Sequence, residues 1–245
     1  MVLSEFESIK DWLISNDYTD LEKPILYVHI FAGFVTLCCA YAILVLKKGD
    51  KRHKKIGIYF VGGMCTIFAT SILLALIGEE MFELMSMFGF FLAFSSFSFY
   101  FAIAGYRQAK IKTGARNTID KALAVLMLMT GLLLLAISIP AQGTLANASF
   151  AYGSVCLFVA AYDFNRFRKI EKPNFYDRIN HHMMLMLSGT IVSTTALTTN
   201  LPLFSLNWMN WWIPPIIIAP FMLYFSRKLA KNNFNITAEA KNETG

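Results

Sequence analysis

Long apolar runs separated by short polar stretches dominate the chain, and each run is of bilayer length. A helix needs about 20 mostly apolar residues to cross the hydrocarbon core, with its backbone polar groups bonded internally. Residues 24–46 form the first such run, without a formal charge. A second covers 56–77 and a third 84–104. The fourth, 122–139, stops at Pro140, and the fifth, about 148–165, carries Asp163 near its end. The sixth, about 182–200, is rich in Ser and Thr; the seventh, about 211–225, holds Pro214, Pro215 and Pro220. The pattern predicts an all-α bundle of seven transmembrane helices over residues 24–228.

The flanks read differently. In residues 1–23, Val2, Phe6, Ile9, Trp12 and Leu13 recur at helical spacing behind a Ser4/Glu7 capping box. The segment is acidic and lacks a basic start and an apolar centre, so it is expected as a surface-lying amphipathic helix rather than a signal peptide. Residues 229–245 are polar and are expected as a disordered tail.

Composition sharpens this picture. The chain is 56% hydrophobic and 16% charged, where soluble domains carry about 25% charged residues. That excludes an ordinary water-soluble enzyme and a disordered chain. A net charge of +6 would suggest nucleic acid in a soluble protein, but the charges are sorted along the chain. Lys47, Lys48, Lys51, Arg52, Lys54 and Lys55 follow span one; Arg107, Lys110, Lys112, Arg116 and Lys121 follow span three. Arg166, Arg168, Lys169, Lys172 and Arg178 follow span five, and Arg227, Lys228, Lys231 and Lys241 follow span seven. Of the 22 basic residues only Lys10 and Lys23 fall on the other side. That side also holds Glu5, Glu7, Asp11, Asp17, Asp20, Glu22, Glu79, Glu80 and Glu83. The positive-inside rule then sets the N-terminus outside and the C-terminus in the cytoplasm. The expected location is a bacterial cytoplasmic (inner) membrane, with no nucleic-acid partner.

Polar groups at membrane depth are costly, so they are the candidates for function. His53, His181 and His182 lie at the inner ends of spans two and six, and Asp163 lies at the inner end of span five. Two or three His with a carboxylate suit a first-row transition metal, and two facing His suit axial ligation of haem b. The plainer alternative is interfacial histidines paired with lipid phosphates or Asp side chains. His29, near the outer face of span one, lies too far along the bundle to join them and is expected to bond within it. Ser188, Thr195 and Thr199 share one side of span six with His181; they either line a polar path or serve close packing. Cys38, Cys39, Cys65 and Cys156 fall inside spans and form no CxxC pair, so they are assigned to packing. Pro214 and Pro215, read in the first turns of span seven, would cost few backbone bonds. Span seven has no Lys, which excludes a retinal Schiff base there.

The run Tyr27-Val28-His29-Ile30-Phe31-Ala32-Gly33, followed by Lys48-Gly49 and His53-Lys54-Lys55-Ile56-Gly57-Ile58-Tyr59, resembles a bacterial family of multi-pass membrane proteins of unknown function. That family opens one helix with Leu-His-x-x-x-Gly and the next with His-Arg-x-x-Gly-x-x-Tyr. A His opening a late helix, with a small polar residue seven later, matches His181 and Ser188. Lys54 stands where the family has Arg, and Met184 where Trp is common. The resemblance singles out His29, His53 and His181 and implies no activity.

The leading functional expectation is therefore a redox or metal-dependent membrane protein with His53, His181 and His182 as ligands and Asp163 orienting a ligand or binding the metal. A small-solute carrier or channel lined by Ser188, Thr195 and Thr199 is the alternative from another class, and a non-catalytic accessory membrane subunit is a third. Cofactors are haem b or a transition metal, otherwise none. The partners are the lipid bilayer and, among proteins, a second copy or another membrane protein.

Overall fold

A computed structural model describes residues 20–77, 87–110, 117–168, 175–201 and 204–243. The expected amphipathic segment at the N-terminus lies almost wholly outside these residues. Seven helices are described and no strand: α1 (Glu22–Val45), α2 (Lys51–Ile77), α3 (Met87–Lys110), α4 (Thr118–Ser138), α5 (Gly143–Arg168), α6 (Phe175–Asn200) and α7 (Asn207–Glu243). Five of them, α1 to α5, are long and apolar enough to cross a membrane. The protein is thus a multi-pass helical bundle of membrane type. Ser and Thr in α6, and prolines with a polar end in α7, keep those two less apolar than the rest.

Most helices outrun the apolar runs that predict them. α2 starts at Lys51 rather than at residue 56, and α3 continues to Lys110 rather than stopping at 104. Apolar windows detect the part of a helix embedded in hydrocarbon, whereas its charged ends carry on into the interface, where long basic side chains reach water. α7 likewise runs to Glu243, so most of the segment expected as a disordered tail continues as helix. Its Ala-Glu-Ala-Lys stretch is of good helix formers, added to a helix already nucleated.

Local chemistry fixes several ends. α1 stops at the extended Leu46, and Lys48 Nζ donates to the carbonyls of Ile43 (2.6 Å) and Leu44 (3.0 Å). Partial burial there pushes the Lys48 pKa below the ordinary lysine value. Gly49, at φ 80°, makes the tight reversal into α2. α4 opens with a full capping box, in which the Asn117 side chain accepts from the backbone of the first turn and Asp120 accepts from the Asn117 N–H.

The core is aromatic and centred on α3. In its apolar window 72% of residues are buried, against 17% in α1, so α3 is the hub and α1 faces outward. Phe90, Phe94, Phe97, Tyr100 and Phe101 of α3 pack with Tyr152 of α5 and Trp211 of α7. Edge-on pairs join Phe90 to Trp211 and Phe94 to Tyr152, each at 5.2 Å between ring centres. Helices adjacent in sequence pack on one another from α1 through α5 and again from α6 to α7, while α6 also lies on α3 and touches α1. α4 and α5 meet backbone to backbone, because a Cβ on Gly131 would come within 3.1 Å of the Gly153 carbonyl, and one on Gly153 equally close to that of Gly131.

The prolines of α7 sit differently from expectation. The helix starts at Asn207, four residues before Trp211, so Pro214 and Pro215 fall about two turns in. A proline there frees the carbonyl four residues back, here those of Asn210 and Trp211. Both are claimed by other helices. Thr198 Oγ1 of α6 donates to the Asn210 carbonyl at 2.5 Å, and the Tyr152 hydroxyl of α5 donates to the Trp211 carbonyl at 3.1 Å. The Asn210 side chain, 1% exposed, bonds both the N–H and the carbonyl of Phe204 and holds the turn that enters α7.

Candidate functional site

The ends of α3 and α5 meet the starts of α4 and α6 at one end of the bundle, the end that carries the basic linkers. Along α3, Arg107 and Gln108 lie seven and eight residues beyond Tyr100, on the same side of the helix. Each finds a different neighbour. The Tyr100 hydroxyl, fully buried, donates to Asp163 Oδ2 of α5 at 2.5 Å. Arg107 grips Asp120 of α4 with two bonds, Nε to Oδ1 at 2.7 Å and Nη2 to Oδ2 at 3.0 Å, and also reaches Asn117 Oδ1 at 2.7 Å. Gln108 lines a cavity of about 10 Å³, about the room of a single water, together with Asp120, Asp163, Phe167 and His181.

The four expected ligands separate into two groups. His181 and His182 are consecutive, and neighbours on a helix point about 100° apart. His182 turns to α3, where its Nδ1 bonds the Gly105 carbonyl at 2.7 Å. A carbonyl only accepts, so Nδ1 carries the proton and Nε2 keeps the lone pair in the neutral ring. His53 of α2 lies close enough for the two imidazoles to repel when charged, and its buried Nδ1 has no hydrogen-bond partner. His181 turns instead to α5, with its ring 5.8 Å from that of Tyr162 and its side chain on the cavity that Asp163 also lines. Among the described residues no three His, Cys, Asp or Glu side chains gather closely enough to hold a metal ion. The structure sets His53 within charge-interaction range of His182 and lines one cavity with His181 and Asp163, but does not gather all four.

His29 stands apart. Its Nδ1 bonds the Thr70 hydroxyl of α2 at 2.9 Å, and Thr70 lies about 26 Å beyond His53 along that helix at 1.5 Å per residue. The hydroxyls of α6 are occupied locally for the most part. Thr199 donates to the carbonyls of Thr195 and Ala196, and Thr190, Ser193 and Thr194 to carbonyls four residues back. Ser188 faces the Met222 sulfur of α7 at 3.9 Å, and Thr195, fully buried, lies beside the Tyr152 oxygen. Ser188, Thr195 and Thr199 thus meet three different surroundings.

The sequence pattern does not single out Tyr100, Gln108 or Asp120, and it marks Arg107 only as a basic residue after span three. Two signals were present: the polar stripe in α3, and the Asn-x-x-Asp start of α4. What neither signal carries is the partner across the helix gap. Compared with known proteins, the chain matches no family model, no curated protein and no solved structure.

Proposed function

We propose that the protein is a seven-span integral protein of a bacterial cytoplasmic membrane, N-terminus outside and C-terminus inside, that binds a transition metal through His53 and His182 for redox chemistry. It is read as a member of the multi-pass family of unknown function that its His29, His53 and His181 motifs resemble. One observation carries the metal reading. The Gly105 carbonyl orients the His182 ring and leaves its Nε2 lone pair available, and within charge-interaction range the buried His53 Nδ1 has no partner. Metal-bound histidines are commonly held in this way, through the second ring nitrogen on a backbone carbonyl. The same pair would serve haem b as axial ligands. His181, on another face of α6, and Asp163 of α5, which accepts from Tyr100, are assigned to shaping that end rather than to the ligand set.

Metal analysis and an absorbance spectrum of the protein purified in mild detergent test this. The expected result is about one equivalent of metal, or a Soret band, that His53→Ala and His182→Ala each remove and His29→Ala retains. Protein with neither stoichiometric metal nor haem absorbance would overturn the reading and leave the solute carrier and the accessory subunit.

A further inference from the structure

α1 and α2 enclose a groove on the outward face of the bundle, remote from the aromatic core. It has a volume of about 470 Å³ and is walled by Phe31 and Val35 of α1 and by Ile58, Tyr59, Gly62 and Thr66 of α2. That volume is within the range of sites for small molecules. Gly63 forms its floor, where a Cβ would overlap the Thr36 hydroxyl, so the two helices touch there. Gly62, next in sequence, faces open space with nothing within 4 Å of an added Cβ. The groove is therefore open toward lipid.

Its charge is at one end. Lys51, Lys55, Tyr59, Gly62 and Thr66 follow one another at steps of three and four residues, a single helical stripe. Lys51 and Lys55 are both exposed. Thr66 lies about 16 Å along the axis from Lys55, roughly half of a 30 Å hydrocarbon core. One leaflet's depth thus separates a cationic mouth from the apolar end of the slot.

We propose that this groove binds one anionic phospholipid, its acyl chain along Phe31, Ile58 and Gly62 and its phosphate on Lys51 and Lys55. A second copy of the chain suits the surface less. Two copies inserted with the same orientation, related by a two-fold axis, would bring both pairs of lysines to the same end of the contact, and like charges there repel. An anionic headgroup neutralises the same lysines.

The test starts from full-length protein in nanodiscs of equal parts phosphatidylglycerol and phosphatidylcholine, transferred to mild detergent. Native mass spectrometry then counts the retained phospholipid. Wild type is expected to keep one phosphatidylglycerol in at least roughly fivefold preference, the size of one lysine's contribution beside an anionic surface. Gly62→Phe fills the slot and the double variant Lys51→Gln/Lys55→Gln removes the mouth; each is expected to abolish the preference. Lys228→Gln/Lys231→Gln, which neutralises basic residues elsewhere, is expected to keep it. Equal retention of the two lipids by wild type overturns the proposal, as does a preference that survives Gly62→Phe or disappears in the Lys228/Lys231 variant. A wild-type dimer that Gly62→Phe converts to monomer, without lipid preference, assigns the groove to a second copy instead.

Discussion

At the scale of single residues, the bonds that matter join groups expensive to leave alone in an apolar interior. Asp120 is 6% exposed and held by Arg107 in a two-bond grip. Arg107→Ala removes the cation and leaves the buried carboxylate, so a loss of about 3 kcal/mol is expected. Asp120→Asn, which removes the charge along with the attraction, should cost distinctly less; equal losses in thermal unfolding would contradict this account. Tyr100→Phe deletes one hydrogen bond to a carboxylate, for an expected loss of about 1.5–3 kcal/mol on the same assay. The hydroxyls of α6 give a third expectation. Thr195 is fully buried, so a Thr195→Cys variant should resist a water-borne thiol reagent, and ready labelling would favour the polar path through α6.

Helices add constraints that no single residue carries. Where α4 crosses α5, a Cβ on Gly131 would meet Leu157, Cys156 and the Gly153 carbonyl at 2.8–3.1 Å, whereas one at Gly57 meets nothing within 4 Å. Gly131→Ala is expected to cost about 1–3 kcal/mol by forcing the helices apart. Gly57→Ala should be neutral or slightly stabilising, because alanine is the better helix former by about 1 kcal/mol. Thermal midpoints of the two variants decide the matter, and equal midpoints would show that the crossing tolerates a wider gap. The same scale explains what the sequence could and could not reveal. Apolar run length located α1 to α5, because bilayer thickness sets a threshold that a window of residues can register. It was less decisive for α6 and α7, where Ser, Thr and Pro dilute the run. The true start of α7 was hidden because Asn207 to Asn210 are polar or interfacial, and the two-turn offset reversed the meaning of Pro214 and Pro215. His181 and His182 were legible as candidates from their depth. Their divergence was not, since it depends on which neighbour lies beside each face of α6.

For the whole molecule the asymmetry of charge is the governing feature. In the proposed orientation, with the basic linkers inside and seven crossings, the two ends of the chain would lie on opposite sides of the membrane. Fluorescent protein fused at the C-terminus is expected to fluoresce, and alkaline phosphatase fused at the N-terminus behind its own export signal to be active. A phosphatase active at the C-terminus would reverse the orientation, and one active at both ends would require an even number of crossings. In that proposed orientation His53, His182, the Tyr100–Asp163 bond and the Arg107–Asp120 grip would all face the cytoplasmic side.

Pro214 and Pro215 of α7 also bear on how the protein is made. In lipid an unsatisfied backbone carbonyl costs several kcal/mol, and no water is present to relieve it. Pro214 and Pro215 free the carbonyls of Asn210 and Trp211, whose donors Thr198 and Tyr152 belong to α6 and α5. α7, synthesised after α5 and α6, is therefore incomplete until they are in place, which gives membrane insertion a direction: α5 and α6 act as the template on which α7 is finished.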